Sequence, residues 1–210
     1  VGFGMGNYND VLMEQLANDG NGNYHYVDEI REARRVFVHN LTSTLQVIAY
    51  DAKVQVDFNP DVTDRYRLIG YENRAVADED FRNDTVDAGE VGAGHSVTAL
   101  YELGLDNESD GTIATVYIRY QDADTEEIVE VTQDITTSDL IRSFDETNPQ
   151  WRLLAGVAEF SELLRGSYWA QDGSYTNLLA WLEPLQVYMI DNGELIELIE
   201  MIHRAREYNQ

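Results

Sequence analysis

Asp106-Asn107-Glu108-Ser109-Asp110-Gly111 sets carboxylates at alternating positions and closes on a glycine, like the opening of an oxygen-lined calcium loop. The bidentate Glu that would complete such a loop at its twelfth position is replaced by Tyr117, inside an alternating strand pattern. The stretch therefore reads first as a hairpin turn, with Asp106, Glu108 and Asp110 as candidate ligands of a weak Ca²⁺ site assembled with another acidic turn. Glu159 and Glu162 lie one turn apart on a helix, the placement a paired-carboxylate mechanism needs. Together with Arg152 they are also that helix's polar stripe, so they read as a solvated face. His25, His39, His95 and His203 have no i,i+4 partner, and the chain has no cysteine, so the spacing of a zinc site is missing. No serine stands in a Gly-x-Ser-x-Gly elbow. Gly2-x-Gly4-x-Gly6 precedes a helix, but its spacing departs from the dinucleotide fingerprint and no basic residue is near; close backbone packing at a strand end is the better reading. Tyr8, Tyr24, Tyr26, Tyr168, Trp169 and Tyr175 fall in or near loops, where aromatics suit protein or glycan recognition as well as core packing.

The elements that must hold these residues follow from hydrophobic period. Ile48, Tyr50, Ala52, Val54, Val56 and Phe58 alternate with Asp51, Lys53, Gln55 and Asp57, which predicts a strand with one dry and one wet face. Tyr66–Tyr71 is apolar on both sides and is expected to be a central strand. Val97, Ala99, Tyr101, Leu103 and Leu105 form the dry face of a long strand. It is followed by Ala114, Val116, Ile118 and Tyr120, and then by Val129, Val131 and Ile135. Residues 75–87 are polar and acidic and read as a surface excursion. Five or more antiparallel strands joined by polar turns argue for a β-sandwich. Upstream, strand, helix, strand and helix succeed one another over residues 1–41, a piece of a parallel α/β sheet. Downstream the period becomes helical. Asn148-Pro149 opens a helix that Gly166 ends, a second helix over 175–190 should bend at Pro184, and a third follows Asp191-Asn192-Gly193.

Across 210 residues, 39 acidic side chains face 14 basic ones, a net charge of −25, and Lys53 is the lone lysine. Such a surface repels phosphate backbones and anionic lipid, so nucleic acid and anionic membrane are poor partners, and no membrane insertion is expected of this chain. It suits a salty or extracellular setting. No apolar run is long enough to span a bilayer.

Gly2-Phe3-Gly4-Met5-Gly6-Asn7-Tyr8-Asn9-Asp10, with Leu16-Ala17, Gly22-Asn23-Tyr24 and Glu32-Ala33, resembles the last quarter of a von Willebrand factor type A domain. Three later stretches resemble the C-terminal region of unknown function that follows such a domain in bacterial proteins. They are Tyr66–Arg74, Asp87–Glu102, and Val157-Ala158-Glu159-Phe160 with Leu163-Leu164-Arg165. The resemblance implies that the type A metal site belongs to strands upstream. Its Asp-x-Ser-x-Ser pattern does not occur here, so no ligand of that site is assigned. The chain is accordingly read as beginning inside a domain.

The expected fold class is α+β: an antiparallel β-sandwich over 42–137, a helical segment over 138–210 packed on it, and over 1–41 an N-terminal α/β remnant of a von Willebrand type A (Rossmann-like) domain. The expected function is a non-enzymatic interaction or adhesion module at the bacterial cell surface, extracytoplasmic, with no cofactor beyond Ca²⁺. Its partner would be another protein or the upstream type A segment, and an incomplete parallel sheet leaves edges for self-association. A structural subunit of an extracellular filament is the alternative, followed by a carboxylate-dependent glycan hydrolase.

Overall fold

The computed structural model describes residues 2–3, 9–20, 24–27, 29–39, 41–42, 46–70, 76–106, 110–190 and 192–208. The architecture is α+β. The chain divides into two compact units: Val1–Arg65, Asn73–Thr98 and Leu103–Thr137 make the first, and Tyr66–Glu72, Ala99–Glu102 and Ser138–Gln210 the second.

The first unit opens with β1 (Gly2–Phe3) and β2 (Tyr26–Val27), paired in parallel on either side of α1 (Asp10–Asp19) in the chain. Asn9 caps α1, its Oδ1 accepting the Leu12 N–H at 3.1 Å. α2 (Ile30–Arg34) runs on into a π-helical turn, Arg35–His39, in which Val36 is buried.

The main body of this unit is a four-stranded antiparallel sheet in the order β5-β3-β7-β8. Its strands are β3 (Val47–Phe58), β5 (Gly89–Gly92), β7 (Thr112–Asp122) and β8 (Ile128–Thr136). The alternating pattern that predicted β3 is interrupted. Tyr50 pairs with Gln121 but Lys53 pairs with Arg119, three steps on one strand against two on the other, and Asp51 takes φ +51°. This is a β-bulge, and one extra residue transfers everything upstream to the opposite face. Ile48 and Tyr50 therefore share a face with Lys53 and Gln55, while Val54, Val56 and Phe58 lie on the other. The shared apolar face read from the sequence holds only below the bulge, and even there Val54 is exposed while Val56 and Phe58 are partly buried.

The face expected to be wet is in part the covered one. Residues 76–88 do run largely at the surface, as expected of 75–87, but they also fold back across that face. Phe81 is buried edge-on to Tyr117, with ring centroids 6.3 Å apart, and Lys53 is only 4% exposed. Its Nζ donates to the carbonyls of Asn83 (2.7 Å) and Asp80 (3.4 Å), and the Ala88 N–H donates to Asp51 Oδ1 at 3.0 Å. At the far end of the sheet Val62, Ile113 and Ala114 form a small core with Val56, Phe58, Leu103 and Leu105.

β4 (Thr63–Ile69) and β6 (Leu100–Leu105) form a separate two-stranded sheet. β4 was expected to be central, yet among the described residues it pairs with β6 alone. Its two-sided apolar pattern does not mean burial on both faces, for Tyr66 is exposed. β6 is also shorter than its pattern: Val97 and Ala99 precede it and stand in solvent.

The second unit is helical, with α3 (Pro149–Leu164), α4 (Tyr175–Leu182) and α5 (Gly193–Tyr208) joined by 3₁₀ turns. Each begins at a side-chain cap. Asn148, Ser174 and Asn192 accept the N–H groups of Gln150, Asn177 and Leu195 at 2.9, 3.1 and 2.9 Å. Pro184 falls where α4 tightens into the 3₁₀ turn Glu183–Val187, because a ring in place of its N–H cannot continue the α-helix. Leu182, Leu185, Leu195 and Ile202 are completely buried, and Phe160, Leu178, Leu179 and Leu198 pack around them. Each such side chain contributes about 1.5–3 kcal/mol of transfer free energy.

Candidate interaction site

α3 places Glu159 and Glu162 one turn apart, as its spacing predicted, but they are not a solvated stripe. Glu162 is 5% exposed. The solvent side of α3 instead carries Trp151, Val157 and Leu164. The reason is that one partner far away in sequence and two close by claim the carboxylate. Arg67 of β4 donates from Nη1 to Glu162 Oε2 at 3.0 Å, Ser167 Oγ donates to the same oxygen at 2.7 Å, and Arg165 Nη2 lies 2.5 Å from Oε1. The other edge of the Arg67 guanidinium donates from Nε and Nη2 to Glu102 Oε2 on β6, at 3.0 and 2.9 Å. Arg67 thus bridges a buried carboxylate and an exposed one.

That guanidinium also lies over the Trp169 ring, 4.8 Å from its centroid. Ser167 caps the 3₁₀ turn Tyr168–Ala170, its Oγ accepting the Trp169 N–H at 3.3 Å. The indole is therefore held from below by a cation and through its backbone by a cap, yet Trp169 is 60% exposed and Tyr168 73%. Their rings meet at 88° with centroids 5.4 Å apart.

Burial pushes the Glu162 carboxyl up, but the hydrogen bonds from Ser167 and Arg67 and the charges of Arg165 and Arg67 hold it below its ordinary value. Glu159 goes the other way, raised by burial and by the charges of Glu162 and Glu102. Its Oε1 lies against Gly173, where any Cβ would collide with it. Two carboxyls pushed apart in this manner are the raw material of acid–base chemistry. Here the ionised one is saturated by two guanidinium groups and a hydroxyl, an anchoring role that holds Arg67 under the indole.

The other residues singled out in the sequence are dispersed. Asp106 and Asp110, between β6 and β7, are exposed, and Glu108 lies outside the described residues, as do Gly4, Gly6 and Tyr8. Gly111, just ahead of β7, donates its N–H to Thr137 Oγ1, just past β8, at 3.2 Å. Among the described residues no three His, Asp or Glu side chains gather as a metal would require. His25 is half-buried and burial lowers its pKa, His95 is exposed, and His203 Nε2 lies 3.3 Å from Glu183 Oε1. Tyr26 is exposed, whereas Tyr175 belongs to the helical core. A small cleft of about 110 Å³ in the first unit is lined by Asp51, Lys53, Asp84, Arg119 and Tyr120.

Arg67, Glu102, Arg165, Ser167 and Lys53 were not singled out from the sequence. Three of them sit inside the stretches that carry the resemblance: Arg67 in Tyr66–Arg74, Glu102 in Asp87–Glu102 and Arg165 in Leu163–Arg165. The cluster is where those separate stretches meet. For Lys53 the available signal was its being the lone lysine of an acidic chain.

The family model described as uncharacterized protein YfbK, C-terminal, matches residues 43–112 and 104–207. Over 233 aligned residues the chain, along its entire length, is 32% identical to the uncharacterized protein YfbK of Escherichia coli (strain K12). It spans 39% of the length of that relative. No solved structure matches the chain. Matched by that family model over residues 43–207, the chain belongs to the family of the YfbK C-terminal domain.

Proposed function

We propose that the chain is a non-enzymatic protein-interaction module that accompanies a von Willebrand type A domain at the bacterial cell surface. The observation that carries this reading is the exposed pair Tyr168 and Trp169, with Arg67 fixed beneath the indole by Glu162 and Glu102. Trp, Tyr and Arg are the residue types that dominate binding energy at protein interfaces, and rings already locked in place lose little entropy on docking. The acidic surface supports the extracytoplasmic setting. A two-sheet sandwich is the finer reading of the fold, supported by the core that β3 and β7 share with Leu103 and Leu105.

Photo-crosslinking from position 168 of the protein in its producing bacterium tests the reading. One adduct of defined mass is expected, lost on Trp169→Ala with an unchanged circular dichroism spectrum. Absence of any adduct, or the same adducts from the exposed control position Glu200, would count against it.

A further inference from the structure

The two edges of the four-stranded sheet are unlike. β5 is four residues long and its register with β3 shifts twice, which is how soluble proteins blunt an open strand. β8 runs nine residues and holds an unbroken register with β7 from Ala114↔Ile135 to Gln121↔Ile128. Among the described residues it has no neighbour on its outer side. Glu130 to Ile135 are all exposed, and the strand has no proline, no lysine and no bulge along that stretch. Proline, lysine and a bulge are thus missing on this edge, whose only guard is the like charge of Glu130 and Asp134, while shortness and register shifts blunt the other.

The side chains of β8 specify what would pair there. On one face Val131 ends a row formed with Ile118 and Val54, in register across three strands, and these are 49%, 41% and 59% exposed. On the other face stand Glu130, Thr132 and Asp134. Glu130 already faces Arg82 (2.7 Å) and Arg119 (3.4 Å), so Asp134 and the turn residues Asp124, Glu126 and Glu127 carry the unbalanced charge. Residues 121–139 hold seven carboxylates and no Lys or Arg. The Asp134 carbonyl takes a hydrogen bond from its neighbour's side chain, Gln133 Nε2, at 2.8 Å, a makeshift for what an added strand supplies along a whole row.

We propose that β8 is a docking edge for an extended segment of a basic partner protein, added as a further strand in which apolar residues alternate with Lys or Arg. The apolar set extends the Val54–Ile118–Val131 row, and the basic set lies beside Asp134 and the acidic turn. A second copy of this chain is disfavoured at the same edge, because self-pairing brings Glu130 and Asp134 of one copy alongside those of the other at a net charge of −25 each. The assignment shares the interaction-module reading but needs neither Trp169 nor its partner.

The test is amide hydrogen exchange of the full chain with two synthetic peptides of about ten residues and identical composition. One alternates Val with Lys; the other carries its lysines in a block. The alternating peptide is expected to slow exchange at Val129–Ile135 roughly tenfold, the blocked one to leave it unchanged, and Val131→Lys to weaken the alternating peptide's binding roughly tenfold. Trp169→Ala should bind the peptide as the parent does, which separates this edge from the aromatic pair. Equal protection by both peptides, no protection by either, or protection that rises with protein concentration before any peptide is added overturns the proposal. The comparison of peptides on the unmodified chain decides the matter even where Val131→Lys fails to fold.

Discussion

The guanidinium of Arg67 lies 4.8 Å from the centre of the Trp169 ring while its two edges hold Glu162 and Glu102. One side chain thus neutralises a buried anion and orients an exposed aromatic. Removing it should leave Glu162 dependent on Arg165 and Ser167, an under-compensated charge in a desolvated place. Arg67→Ala is expected to lower stability by about 2–4 kcal/mol, read from urea denaturation, and to shift Trp169 fluorescence as the cation leaves the ring. Arg67→Lys should recover little, because an ammonium cannot span both carboxylates. Full recovery by lysine would show that charge alone matters.

Glu159 and Glu162 should respond to pH with opposite sign. The Glu162 carboxyl is held below its unfolded value, so the stability it contributes is present above that value and is lost as pH falls through the lowered folded pKa. The Glu159 carboxyl is raised, so it costs nothing below its unfolded value and destabilises increasingly as pH rises through the raised folded pKa. Glu159→Gln is expected to be more stable than the parent at neutral pH and to lose that advantage in acid. Glu162→Gln should be less stable at neutral pH and converge with the parent in acid. Urea midpoints measured from acid to neutral pH check both, and parallel curves for the two variants would contradict the assignment.

Lys53, 4% exposed, should be hidden from reagents. Its ε-amine is expected to react with an amine-selective ester in urea and to be protected in the folded chain, as mass spectrometry of the peptide bearing it would reveal. Lys53→Met keeps the volume but deletes the donors to Asn83 and Asp80. It should cost about 1.5–3 kcal/mol and speed amide exchange across residues 78–88. Rapid labelling in the native state would mean that the segment does not close over the sheet.

Gly156 faces Leu182 across the α3–α4 contact, and a Cβ built there would stand 2.6 Å from Leu182 Cδ2. Alanine gains about 1 kcal/mol of helix propensity but must displace a completely buried leucine. Gly156→Ala is therefore expected to destabilise by about 1–3 kcal/mol in urea denaturation. A gain in stability would mean that Leu182 has room to move.

Much of the architecture was legible in the chain. The Asn148-Pro149 start, the break at Pro184 and the fresh helix start at Asn192-Gly193 depend on residues within a few positions of one another, and they appear where local chemistry puts them. The strands β3, β7 and β8 likewise follow from alternation. What misled was the inference from pattern to face. A period of two assigns sides only while every residue keeps its place in the ladder, and the bulge at Asp51 breaks that count without any glycine to announce it. The candidate site was half visible. Glu159 and Glu162 were identified as a pair and Tyr168 and Trp169 as loop aromatics, but Arg67, which joins them, sits 95 residues from Glu162.

Short-range spacing, then, settled which segments become helix or strand, because capping, turn chemistry and hydrophobic period act between near neighbours. It also settled the acidic character of the surface, which is a matter of composition alone. Only the folded chain decided that Lys53 is covered by residues 76–88 and that Glu162 is an anchor and not a solvated carboxylate. Those outcomes rest on hydrogen bonds between groups distant in sequence. Whether a charged side chain meets water or a partner depends on which distant backbone returns to it.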